Sequence, residues 1–173
     1  RQLPGWFESV KARLSHTDYQ HTEFDAGIAG TRFANKGQDL RIEARHRPWG
    51  SWQGVVGVQT ESSRFSAVGD EAFAPFSRTR SQALFVHEEL PTAWGQFNAG
   101  ARWESVRVAS LGNPELDRFD EGIGTHKFTP FSLATGAVFK LSPAWSVTGN
   151  AALTQRAPKD YELFANGPHL ATH

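Results

Sequence analysis

The sequence contains no cysteine, so disulfide bonds and thiolate-bound metals are excluded. Positive charge is not in excess, because 18 Lys and Arg residues balance 18 Asp and Glu residues, and no general attraction to nucleic acid follows. The chain also lacks a run of about 18 consecutive apolar residues, the length that indicates a transmembrane helix. Its 173 residues suffice for one ordinary domain. No nucleophilic triad, phosphate-binding loop or zinc-finger pattern indicates an enzyme or a resident cofactor.

The dominant pattern in the chain is alternation of apolar and polar residues with a period of two, which indicates β-strands. Between residues 39 and 47, for example, Leu40 and Ile42 alternate with Arg41 and Glu43. The predicted strands are roughly 9 to 16 residues long, whereas strands of soluble proteins usually have about five or six residues and membrane-spanning strands about 9–11. Seven strands are predicted, at residues 6–16, 39–47, 52–61, 79–90, 93–108, 128–141 and 145–156.

The connections between the predicted strands alternate strictly between short and long. The stretches "PWGS", "PT" and "SPA" form the short connections, and polar segments at 21–37, 62–78 and 109–127 form the long ones. An antiparallel up-and-down barrel in an outer membrane has this arrangement, with tight periplasmic turns and long extracellular loops. Five of the six tryptophans lie near the short turns: Trp6, Trp49, Trp52, Trp94 and Trp145. A girdle of aromatic side chains at a membrane interface would place them there. The alternative is that these tryptophans cap the core of a soluble sheet.

Alternation also divides the side chains between two faces of the predicted sheet. Charges on the polar face would be costly in a dry core, so we expect them to line a lumen as a solvated lattice of ion pairs. His46 and His87 fall inside predicted strands and are assigned to the membrane interface or the lumen wall. The predicted lipid face carries Trp6, Val10, Leu14, Leu40, Ile42, Val56, Phe97, Trp103, Phe139 and Val147. The predicted lumen face carries Arg13, Arg41, Glu43, Arg45, Arg102 and Glu104.

Several stretches of the chain resemble a known family of membrane proteins. The segments "NKGQDLRIEARHRPWGSWQGVVGVQ" and "GARWESVRV", and above all "QRAP" followed by "YELFANGPH", resemble the barrel region of TonB-dependent outer-membrane receptors. Within that superfamily they resemble the branch that imports zinc. The resemblance implies a 22-stranded barrel with a plugged lumen, located in the outer membrane of a Gram-negative bacterium. It also implies a transporter driven by the TonB complex, and not an enzyme.

By this resemblance, residues 1–173 are expected to be part of such a barrel, without the plug and without the first and last barrel strands. An incomplete barrel has two unpaired sheet edges and an apolar face that requires lipid. We therefore expect the isolated chain to self-associate through its edges. The expected partners are outer-membrane lipid, the plug, the TonB complex and a metal ion, with no role for nucleic acid.

Histidines and carboxylates in two of the predicted loops form the candidate metal site. The stretch "HTDYQHTEFD" contains His21 and Glu23, and "NGPHLATH" contains His169. Imidazole and carboxylate groups together suit zinc. The resemblance implies that Glu23 and His169 are the metal ligands of the barrel wall, and His21 is added because it lies nearby. The plug is expected to supply the other ligands, and solvated loop histidines without a metal are the alternative.

Other cargoes and another class of protein stay open at this point. Zinc is expected as a transported ligand, with no bound cofactor required. A ferric siderophore or haem would suit a receptor of the same superfamily, because His169 and Tyr161 are possible axial ligands of haem iron. A soluble β-rich binding domain is the alternative from a different class.

Overall fold

The computed structural model describes residues 5–25, 27–69 and 72–167, which form an almost entirely β structure. Helical structure within these ranges is limited to a 3₁₀ turn at Asp117–Phe119 and one short helix, α1, at Asp160–Phe164. No described helix is long and apolar enough to cross a membrane. The strands are β1 (Phe7–Asp25), β2 (Ile28–His46), β3 (Gln53–Val68), β4 (Ser77–Thr92), β5 (Gly95–Ser110), β6 (Gly124–Phe128), β7 (Phe131–Ser142) and β8 (Trp145–Leu153).

The strands form one antiparallel meander in the order β1-β2-β3-β4-β5-β7-β8, with β6 also paired to β5. The predicted all-β, up-and-down arrangement is therefore confirmed. The sixth predicted strand, 128–141, corresponds to β7, and β6 lies almost entirely within the connection predicted at 109–127. The break between β6 and β7 falls at residues 129 and 130, where Pro130 lacks a backbone N–H. The ladder partly resumes there, because the Glu104 N–H donates to the Pro130 carbonyl oxygen at 3.0 Å.

The strands are longer than the sequence pattern predicts. The long connection predicted at 21–37 is wrong, because β1 and β2 continue through it as a paired ladder and leave only residues 26 and 27 between them. Here Thr22 pairs with Arg32, and polar residues occupy both faces. Backbone hydrogen bonds extend the ladder where side-chain alternation no longer indicates a strand. The connections at 69–76 and 111–123 are long, as predicted, although both are shorter than expected.

The strand register assigns the side chains to two faces, because directly opposed residues of antiparallel strands share one face. This register confirms the predicted division for the strand residues, and Trp6 lies just before β1, outside the ladder. One cross-strand row, which defines what we call the outer face, runs through Ile42, Val58, Leu84, Trp103 and Phe131. A neighbouring row, which defines the inner face, runs through Arg13, Arg41, Gln59, Ala83 and Glu104.

The outer face exposes its apolar side chains. Leu14 is 76% exposed and Leu84 is 55% exposed, and both point away from the buried part of the chain. A water-soluble sheet buries such a face, whereas the outside of a membrane barrel presents it to lipid. Beyond Leu14 and Leu40 the outer face becomes polar toward the long connections, with exposed Arg80 and Arg107 opposite each other.

The buried core lies on the inner face, at the long-connection end. Phe33, Ala67 and Ala72 are buried there, with Phe65, Phe73 and Leu116 packed against them. The two long connections fold over this end, and the Asn113 side-chain amide donates to the Ala67 carbonyl oxygen at 3.1 Å. Burial inside and apolar exposure outside are the reverse of a soluble β-sandwich.

Candidate functional site

His21 lies on β1, on the inner face, and not in a loop as the sequence predicted. It pairs in register with Phe33 of β2, and the two rings stack with centroids 4.8 Å apart and planes 11° from parallel. The centroid of the Tyr19 ring lies 5.5 Å from that of His21. Phe33 in turn contacts Phe65 and Phe73, with centroids 6.3 and 6.4 Å away. We call these five residues the aromatic wall.

Glu23 also lies on β1 and not in a loop. The ladder is irregular between Thr22 and Phe24, where β2 contains one extra residue around Gly30. A Cβ placed on Gly30 would lie 3.3 Å from the Glu23 carbonyl oxygen, so this glycine allows the two strands to approach closely. Because alternate residues of a strand lie on the same face, Glu23 follows His21 along the inner face. One imidazole and one carboxylate therefore share one side of β1.

The remaining predicted metal residue, His169, lies outside the described residues. Within the residues that the structure describes, no group of three or more His, Asp or Glu side chains is arranged to hold a metal ion. The described residues therefore include two of the three predicted metal ligands, His21 and Glu23, and do not form a complete coordination shell.

The segment after β8 folds back across the inner face. Asp160, the first residue of α1, accepts a hydrogen bond from the Ser77 hydroxyl. The Asn166 N–H donates to the Phe73 carbonyl oxygen at 2.8 Å, and the Phe164 and His126 rings lie 5.5 Å apart. Beneath this segment is a cavity of about 550 Å³, whose lining includes Tyr161, the proposed haem ligand.

Helix α1 is stabilised by a fork between Arg156 and Glu162. Two guanidinium nitrogens of Arg156 donate to the two Glu162 oxygens, each at 2.6 Å, and the Lys159 N–H donates to one of them at 2.8 Å. These hydrogen bonds lower the pKa of the Glu162 carboxyl to about 2, and those from Arg156 have the largest effect. The fork lies within the segment "RAPKDYELF", and it gives a physical reason for the arginine and glutamate of that segment.

The inner face also carries a symmetric cluster of charges around Phe85. Arg41 donates to Glu43 at 2.7 Å, and Arg102 donates to Glu104 in the same way. Both arginines also donate to the Gln59 side-chain oxygen, each at 3.3 Å. The guanidinium carbon of Arg41 lies 4.0 Å from the Phe85 ring centroid, which is the geometry of a cation–π contact. This arrangement is the lattice of ion pairs predicted for a lumen wall.

Sequence reasoning missed most of the aromatic wall. Phe33 and Phe65 fell within connections predicted to be polar loops, so no strand face was assigned to them. The stacking of His21 on Phe33 depends on cross-strand register, which a single sequence does not specify in a stretch where polar residues occur on both faces.

A comparison with protein families gives one finding. The family model described as TonB dependent receptor-like, beta-barrel, matches residues 3–172 of the chain. The match therefore includes the whole sheet, the aromatic wall and the segment that folds back over the inner face. It concerns the barrel as a class, and it assigns no cargo.

Proposed function

The chain belongs to the TonB-dependent receptor-like β-barrel family, and from this premise we propose that it is part of the wall of an energy-coupled importer in a bacterial outer membrane. The observation that carries the proposal is the reversed burial: apolar side chains are exposed on the outer face, and the small core lies inside. Lipid is the environment that favours this arrangement. Transport is the proposed activity, and we assign no catalytic role.

A larger barrel is part of the proposal. Among the described residues, β1 and β8 each pair with a neighbour on one side only. Unpaired backbone groups at such edges are costly in lipid, so membrane sheets close into barrels. We propose that further strands complete the barrel to the 22 strands of plugged transporters, with a plug inside it and the TonB complex on the periplasmic side. Made alone, the chain would self-associate through these two edges.

Zinc, free or as a chelate, is the proposed cargo. The support is the shared position of His21 and Glu23 on the inner side of β1, together with donor types that zinc prefers. His169 is proposed as the third ligand from the barrel, and plug residues would complete the shell. An open, incomplete shell on the wall suits a cargo that must later be released.

Zinc titration of the complete receptor in detergent tests this assignment. Glu23→Gln, His21→Gln and His169→Gln should each weaken zinc binding by about tenfold or more, since even groups that merely support metal ligands contribute about that much. His16→Gln is the matched control, because His16 lies on the outer face of β1, opposite Gln38. Zinc affinity equal to wild type in both the Glu23 and the His169 variants would show that the metal assignment is wrong.

The aromatic wall supports a second candidate cargo, a ferric siderophore or haem. Planar or aromatic ligands stack on aromatic side chains, and Tyr19 is half exposed beside His21. Direct titrations of the same receptor with zinc, haem and a ferric siderophore separate the candidates. If wild type binds haem tightly and does not bind zinc, and if Tyr161→Phe or His169→Gln abolishes haem binding, the cargo is haem and not zinc.

A further inference from the structure

An ion pair lies on the outer face, which otherwise carries apolar side chains toward the short turns. His46 ends β2 and Glu88 lies on β4, flanked along the strand by Val86 and Leu90 on the same face. The His46 Nε2 atom lies 3.0 Å from both Glu88 carboxylate oxygens. The two side chains are only 21% and 24% exposed. Ionisable residues on a lipid-facing surface are rare, and they usually have a specific role.

The pair forms across a glycine of the intervening strand. Gly54 on β3 pairs with Glu88, and its neighbour Val55 pairs with Arg45, the residue before His46. A Cβ placed on Gly54 would lie 2.5 Å from the Glu88 carboxylate carbon and from one carboxylate oxygen. The missing side chain therefore leaves the space in which the two charged groups meet.

The ring of His46 is oriented from both sides. Its Nδ1 atom lies 2.7 Å from the Arg47 carbonyl oxygen, while Nε2 points to Glu88. An imidazole whose two nitrogens both face oxygen acceptors satisfies them only as the imidazolium, which donates from both. The site therefore presents one positive and one negative group side by side.

Aromatic side chains line an open cavity of about 860 Å³ beside this pair on the outer face. Trp6, Trp49 and Trp52 contribute to its walls, and Trp6 and Trp49 are 89% and 82% exposed. Arg47 secures the chain beside Trp6, because its backbone N–H donates to the Trp6 carbonyl oxygen at 2.8 Å and its Nε donates to the Gly5 carbonyl oxygen at 2.6 Å. Indole rings near the short turns of a membrane barrel lie in the headgroup zone of the bilayer.

We propose that this cavity binds the headgroup of a zwitterionic phospholipid with a primary ammonium group, such as phosphatidylethanolamine, from the periplasmic leaflet. The inference rests on the proposed placement of the outer face in lipid. The lipid ammonium would lie beside Glu88 and the indole rings, and the lipid phosphate beside His46. An ammonium gains both a charge-assisted hydrogen bond and a cation–π contact in this position.

Glu88 favours this occupant over an anionic lipid, because His46 and Arg47, which also lines the cavity, can attract the phosphate of either lipid, whereas only a lipid ammonium also meets the Glu88 carboxylate. A zwitterion laid head to tail over an ion pair gives alternating charges, so each group of the lipid meets one of opposite sign. An anionic lipid such as phosphatidylglycerol would satisfy His46 and would leave Glu88 beside a phosphate. Repulsion between like charges disfavours that arrangement.

Native mass spectrometry of the complete, delipidated receptor tests the proposal, with phosphatidylethanolamine and phosphatidylglycerol of identical acyl chains as probes. Wild type should bind phosphatidylethanolamine about tenfold more tightly than phosphatidylglycerol, the effect of one charge-assisted hydrogen bond. Glu88→Gln should reduce this preference to near one, whereas His46→Gln should weaken the binding of both lipids and keep the preference, because both lipids carry the phosphate that His46 would contact. Glu89→Gln is the matched control, because Glu89 is the next residue, on the inner face, and forms an exposed pair with His87 at 3.4 Å.

Each outcome decides the proposal. A preference that is lost in Glu88→Gln and retained in Glu89→Gln supports it, provided that heat-dependent gel mobility shows both variants folded. If Glu88→Gln lowers stability but keeps the preference, the pair is only a clamp between β2 and β4 and the lipid site is wrong. Binding of both lipids by wild type without preference overturns the site alone. No retained lipid at all would also contradict the membrane placement of the outer face.

Discussion

The Phe85 ring occupies the space that Gly57 leaves open on the neighbouring strand. The two residues are paired between β3 and β4 on the inner face. A Cβ placed on Gly57 would overlap the Phe85 ring and would lie 2.6 Å from the Ile42 carbonyl oxygen. An aromatic side chain that covers a glycine shields the backbone and pins the strand register. The guanidinium carbon of Arg41 lies 4.0 Å from the centroid of the same ring.

Replacing Gly57 with alanine should therefore destabilise the barrel by about 1–3 kcal/mol, the usual cost of overpacking. Guanidinium unfolding of the receptor in detergent measures the effect. Gly37→Ala on β2, a strand paired on both sides, is the control, because a Cβ there would lie 3.7 Å from the nearest atom, and we expect little change. Equal stability of the Gly57 variant and wild type would mean that Phe85 does not rest on Gly57.

The two faces of β4 should differ in their access to lipid. Single cysteines at Leu84 and His87 can carry nitroxide labels, and the chain contains no other thiol. The label at Leu84 should be relaxed mainly by oxygen, which partitions into lipid, and the label at His87, an exposed inner-face position, mainly by a water-soluble nickel chelate. Similar relaxation of the two labels would contradict the register of this strand, since residues three positions apart occupy opposite faces.

The face assignment could be predicted from the sequence because lipid and lumen impose opposite demands on alternate residues. Ile42 and Arg41 illustrate this contrast within one strand. The positions of the short turns followed from the same pattern, together with tryptophans such as Trp94 and Trp145. Where the strands leave the apolar band, the outer face becomes polar and the inner face mixes polar and aromatic residues such as Phe33, so the alternation that indicates a strand disappears. For this reason, the sequence pattern predicts a loop at 21–37, where the structure has the end of β1 and the first half of β2.

The contacts around the candidate site were less predictable. His21 and Glu23 were identified by residue type, but the stacking of His21 on Phe33 required the pairing of β1 with β2. The path of the segment after β8 depends on tertiary hydrogen bonds, such as that from Asn166 to Phe73. Neither pattern nor propensity encodes such contacts, because they join residues far apart in the chain.

The fold of the segment around α1 should depend on pH through Glu162. The pKa of this carboxyl is lowered from 4.5 to about 2, chiefly by Arg156. A carboxyl with a lowered pKa in the folded state contributes stability that is complete above its unfolded pKa and is lost as the pH falls through its folded pKa. A spin label at Ala165 should therefore gain mobility as the pH falls from about 4.5 toward 2.

The variant Arg156→Gln tests the cause of that change. Its label should be mobile already at neutral pH, because the fork to Glu162 is absent, and should respond little to acid. Lys140→Gln, on β7 and away from α1, should behave like wild type. A pH response that persists in Arg156→Gln would assign the transition to another carboxyl group.

His21 has two separable roles, packing against Phe33 and proposed zinc ligation, and the variants His21→Phe and His21→Ala distinguish them. Phenylalanine retains a ring that can stack on Phe33 but has no nitrogen donor, whereas alanine removes both. We expect His21→Phe to retain the unfolding midpoint of wild type and to lose zinc affinity. His21→Ala should lose zinc affinity together with about 0.5–1.5 kcal/mol of stability, the value of an aromatic pair. Zinc titration and guanidinium unfolding of the same preparations give both quantities. If His21→Phe binds zinc as tightly as wild type, His21 serves only the aromatic wall, and the metal proposal must rest on Glu23 and His169.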